Sequence, residues 1–151
     1  MRLSEQLEQE LYDAGLKKHR MELNGSIEGV LINKTIVTDA QLDPYRDNCV
    51  TCHELEHSTL EPKNLIFAPK ALCDKVEAYV DRRTCEKLVC PDELIALYKK
   101  GITAPTDIAD ALEVDLKFFC HAIELYAGIY GTYAKDGYVI RFSPFRIKKC
   151  K

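Results

Sequence analysis

The chain has 151 residues, 46% of them hydrophobic and 30% charged, which suits one globular domain with a real core. A formal net charge of -3 argues against a partner held by nucleic-acid phosphates or anionic lipid, because both would be repelled. No apolar run approaches the roughly 18 residues of a membrane helix, and Met1-Arg2-Leu3-Ser4-Glu5-Gln6 leads into a charged amphipathic pattern instead of a signal-peptide core.

In chain order, Ser4 to about Gly15 reads as a first helix, with Ser4 as its cap and Leu7, Leu11 and Ala14 at helical spacing. Met21-Glu22-Leu23, Ser26 to Ile32 and Thr35-Ile36-Val37 read as three short strands of one small antiparallel sheet. Asn24-Gly25 and Asn33-Lys34 supply the turns between them. Asp43-Pro44 starts a helix that runs to about Ser58 or Thr59. Glu61-Pro62-Lys63-Asn64 ends it in a loop, and Leu65-Ile66-Phe67 reads as a short extended piece. A long helix follows from Lys70 to about Val89, then a shorter one from Pro91 to Gly101. Thr106 caps a helix to Leu112, and Asp115 caps another to about Tyr126 or Gly128. Tyr138 to Phe142 is a late strand or part of an extended tail over residues 131–151. The expected class is α+β and mostly helical. One domain is expected over residues 1–151, with 1–100 as a catalytic part and 101–130 as a helical pair.

The chemistry is concentrated in Cys52-His53-Glu54-Leu55-Glu56-His57-Ser58. On a helix, His53 and His57 share one face and can converge on a single ion, with the Glu54 carboxylate beside it. Two neutral histidines, a third protein ligand and an open position for water make a catalytic zinc site, and the glutamate is its general base. Glu77, on the next long helix, is the best third ligand. Asp81 lies one turn further on the same face, placed to accept a ring N–H from a ligating histidine. Asp74 and Glu86 are rivals without that pairing.

These residues resemble the ImmA/IrrE family of metallopeptidases from bacteria, phages and mobile elements. The likeness covers roughly residues 6–130. It runs through Asn48 to His57, Glu77-Ala78-Tyr79-Val80 and Glu86-Lys87-Leu88-Val89, then Gly101-Ile102 and Asp107-Ile108-Ala109-Asp110-Ala111-Leu112-Glu113-Val114. Position 56 is Glu where members often have Gly, and position 80 is Val where Ala is usual. The resemblance implies a gluzincin-like site with His53, His57 and Glu77 on Zn²⁺ and Glu54 as base. It also implies a protein substrate, a helix-turn-helix repressor of a phage or mobile element. Tyr126, Tyr130 and Tyr133 are candidates for stabilising the oxyanion, with none assigned. The rival expectation is a non-catalytic zinc-binding regulator that sequesters a transcription factor.

Blander and competing readings stand beside these. Cys49-Val50-Thr51-Cys52-His53 spells the C-x-x-C-H haem attachment motif, but attachment belongs to exported proteins, so no haem is expected. Cys49 shares a helical row with His53 and is an alternative metal ligand, although small apolar packing of Cys49 and Cys52 is preferred. Mn²⁺ or Fe²⁺ would also suit two histidines and a glutamate. The other cysteines are Cys73, Cys85, Cys90, Cys120 and Cys150. All seven are expected to be free thiols of a cytoplasmic protein, with Cys150 exposed. Residues 106–126 outline a helix-turn-helix, but Phe118, Phe119, Ile123 and Tyr126 suit a core better than base edges. No direct contact with nucleic acid or membrane is expected, and Arg146 to Lys151 reads as a solvated basic end.

Overall fold

The computed structural model describes residues 1–60 and 68–150. The loop expected at Glu61 to Asn64 and the extended piece expected at Leu65 to Phe67 lie outside the described residues. The class is α+β: six helices and two three-stranded sheets are formed by the described residues. They group into two compact units, Met1–Thr84 and Cys85–Lys151.

The first unit begins with α1 (Leu3–Asp13), followed by β1 (Lys17–Met21), β2 (Gly29–Ile32) and β3 (Thr35–Asp39). α1 starts one residue before Ser4, and the Glu5 carboxylate accepts the Arg2 backbone N–H at 3.1 Å. The three strands lie in the order β1-β3-β2. β2 and β3 are antiparallel, but β1 runs parallel to β3, so the sheet is mixed where an antiparallel one was expected. The first strand also sits earlier, at Lys17–Met21 instead of Met21 to Leu23. The cause lies in β3, whose Ile36, Val37 and Thr38 are all buried. A strand buried along its length belongs at the centre of a sheet. β1 and β2 therefore take the two edges, and the Asn24-Gly25 segment carries the chain between them instead of closing a hairpin.

α2 (Pro44–His57) packs on β2 and β3 and also against α1. It starts as the sequence predicts: the Asp43 side chain accepts the N–H groups of Tyr45 and Arg46, each at 3.0 Å, and Pro44 fills the first helical position. Its apolar face (Cys49, Val50, Cys52, Leu55) is buried. Each such aliphatic side chain contributes on the order of 1.5–3 kcal/mol. That burial holds the helix down, and a polar cluster sets its rotation. Asp47, buried, accepts the Thr38 hydroxyl at 2.7 Å and pairs with Lys18, while Arg20 lies 3.6 Å away. One carboxylate thus ties α2 to β1 and β3. Arg46 adds two bonds to Glu28 at 2.8 and 2.6 Å. α3 (Lys70–Leu88) spans the boundary between the units.

The second unit contains α4 (Pro91–Lys99), α5 (Pro105–Leu112), α6 (Leu116–Ile129), β4 (Thr132–Lys135), β5 (Tyr138–Phe142) and β6 (Phe145–Lys149). α5 starts at Pro105 with Ala104 before it, and not at a Thr106 cap, because proline is pre-set for the first helical position. Asp115 caps α6 as expected, accepting the Phe118 N–H at 3.2 Å. Phe118, Phe119, Ile123 and Tyr126 are buried, as the core reading of α6 requires. Residues 131–151 hold more than the expected extended tail with one late strand. β4, β5 and β6 form an antiparallel meander, and α6 packs against β5. The expected division near Gly101 falls inside this unit.

Candidate metal centre

Cys49, His53 and His57 stand one turn apart along a single row of α2. The row climbs from core to surface: Cys49 is buried, whereas the His53 and His57 side chains are 30% and 19% exposed. The two histidine rings meet edge to face, with centroids 4.9 Å apart. Beyond them the helix closes with Ser58 and Thr59, whose hydroxyls donate back to the carbonyls of Leu55 and Glu56 at 2.5 and 2.7 Å.

Glu77 comes from α3 and reaches both rings. Its two carboxylate oxygens lie 3.2 Å from His53 Nε2 and 2.9 Å from His57 Nε2. The three ligand atoms lie within 4.8 Å of one another, and together they could hold a metal ion. The donor set, two imidazoles and one carboxylate, is of a kind that Zn²⁺ accepts. Asp81 lies one turn beyond Glu77 on α3 and outside this group of three. Of the rival carboxylates, Asp74 pairs with Lys70 at 2.8 Å, and Glu86 is not in the group. Cys49 and Cys52 are both buried and take no part in it.

Glu54 is half-buried beside this group. Burial raises its carboxyl above the ordinary value, and nearby Glu77 adds to the rise. His57, His53 and a hydrogen bond from the Leu31 backbone N–H pull in the other direction without cancelling the effect. A carboxylate held this way is more basic than a solvated one, as a proton acceptor requires.

Gly29 is a residue that the sequence reading passed over. A Cβ placed there would meet Val50 Cγ1 at 2.4 Å, with Glu54 Cγ at 3.6 Å. Valine is stiff and Val50 is buried, so it has little room to yield. Only glycine lets β2 approach α2 this closely, and that approach brings the Leu31 N–H to Glu54. The available signal was a glycine opening an apolar strand, which marks a close backbone approach.

Glu56 does not project a free charge beside this group of three. Its side chain is 7% exposed, and Arg83 of α3 lies 3.5 Å from it. The candidate tyrosines all lie in the second unit. Tyr126 is fully buried and donates its hydroxyl to the Val89 carbonyl at 2.8 Å, and burial pushes its pKa far up. Tyr133 donates to Asp92 at 2.5 Å. Tyr130 is 39% exposed.

No helix among the described residues is long and apolar enough to cross a membrane. Comparison of the sequence with protein-family models gives no match, and comparison with curated proteins gives none either.

Proposed function

We propose that the chain is a zinc-dependent endopeptidase that acts on a protein partner. The observation that carries this reading is the convergence of His53, His57 and Glu77, with a second carboxylate, Glu54, half-buried next to them. A divalent ion held there supplies Lewis acidity toward a carbonyl and activates water at neutral pH. The chain's own residues divide the remaining work. His53 and His57 would bind the ion through Nε2, and Glu77 would bring the negative charge that favours a cation. Glu54, half-buried beside them, would take the proton of the attacking water and hand it to the leaving amine. Asp81 would orient a ring of the ligand pair. The partner proposed from the family resemblance is a helix-turn-helix repressor, and the proposed setting is the cytoplasm.

Co-expression with a candidate repressor, read by intact-mass spectrometry, tests this. The expected result is two repressor fragments with the natural chain and an intact repressor with Glu54→Gln. The loss in rate should be about 10²–10⁴-fold, the usual worth of a positioned proton acceptor. An intact repressor recovered in a stable complex with the natural chain would replace the peptidase by a sequestering regulator.

A further inference from the structure

The net charge of -3 is an average over an uneven chain. From Thr132 to the end there are six basic residues (Lys135, Arg141, Arg146, Lys148, Lys149 and Lys151) against Asp136 alone. The meander sorts three of them onto one face. Ile140 and Phe142 of β5 and Ile147 of β6 are buried, and Arg141, Arg146 and Lys148, which alternate with them, are exposed. Register places Arg141 directly opposite Arg146, and Lys148 opposite Val139.

Residues opposed across antiparallel strands stand about 5 Å apart at Cβ, and like charges so placed are destabilising. Alternate residues along a strand are about 7 Å apart, which puts Lys148 one step from Arg146 on the same face. Among the described residues no carboxylate pairs with any of the three. Lys135, by contrast, is already held by Asp92 at 2.6 Å. Among the described residues nothing therefore offsets the repulsion, and a polyanion laid across the face would relieve it.

We propose that this face docks the phosphate backbone of double-stranded DNA through Arg141, Arg146 and Lys148. The other outward positions, Thr132, Ala134 and Val139, are small or medium in size. They offer no aromatic platform on which unpaired bases could stack. They offer no large anchor for a protein hot spot or for insertion into lipid. What remains is contact with phosphates, independent of base sequence and sensitive to salt.

The test is fluorescence anisotropy of a labelled 20-base-pair duplex with the full chain between 50 and 200 mM salt. Three phosphate contacts give a slope of log K against log salt of about -2.7, so binding weakens about 40-fold over that range. Changing Arg141, Arg146 and Lys148 together to Gln should weaken binding at least tenfold at 50 mM and flatten the slope. Changing Lys17, Lys34 and Lys75 to Gln alters net charge equally and should leave both within about threefold. Lys148→Gln alone should reduce the slope by about 0.9 and keeps the test open if the triple variant does not fold. No binding by the natural chain at 50 mM would overturn the proposal. So would equal losses in the two triple variants, or tighter binding to polyglutamate or anionic vesicles than to the duplex.

Discussion

At the scale of single residues, the candidate centre rests on Glu77. Both histidine nitrogens reach its carboxylate, so its removal leaves two imidazoles and no counter-charge. Glu77→Ala should reduce bound zinc from about one per chain to near none, read by elemental analysis after purification without chelator. Zinc retained in full would move the third ligand elsewhere, with Cys49 the next residue to change. Gly29 gives a second prediction. Gly29→Ala forces Val50 or the strand aside and should cost about 1–3 kcal/mol in denaturant unfolding. Because the same displacement moves Leu31 from Glu54, cleavage should fall by more than zinc content does.

At the scale of elements, two carboxylates fasten helices to sheets. Asp47 joins α2 to β1 and β3, and its partners Lys18 and Thr38 would be left unpaired without it. Asp47→Ala should destabilise the protein by about 1–3 kcal/mol in urea unfolding, because the buried Thr38 hydroxyl loses its acceptor and the half-buried Lys18 its counter-ion. A variant within 0.5 kcal/mol of the natural chain would show that the apolar face of α2 alone sets its position. Asp92 fastens β4 to α4, held by Lys135 and Tyr133. The Lys135 hydrogen bond, with that of Tyr133, keeps the Asp92 carboxyl below its ordinary value. A depressed carboxylate stabilises the fold above its unfolded pKa of about 3.9 and loses that contribution as pH falls further. The gap in Tm between the natural chain and Asp92→Asn should therefore be widest near pH 6 and shrink below about pH 4. The site is exposed, so the gap will be small. A gap that stays constant with pH would remove this linkage.

At the scale of the whole molecule, an ion held between α2 and α3 would favour the folded chain. Zinc present at 100 times its Kd should stabilise that fold by about 2.7 kcal/mol, seen as a rise in Tm that chelator reverses. Glu77→Ala should show no such rise, which separates a specific site from loose binding to surface carboxylates.

The sequence by itself determined the α+β class, the start of α2 at Asp43-Pro44 and the cap of α6 at Asp115. It also put His53, Glu54 and His57 on one short helical segment. These are local matters: a cap, a proline and a four-residue spacing act within a turn or two. The pairing of Glu77 with both histidines was legible only as the best of three candidates, because two helices must first pack before a contact over twenty residues can form. The sheets were harder to read. β1 joined β3 in parallel because burial on both faces, a property of the finished core, decides which strand is central. The meander had a signal that the basic residues obscured, namely Asp136-Gly137 between alternating runs. Alternation says that one face of a strand will be buried. Only strand register decides which cations then stand side by side, and so what the other face can bind.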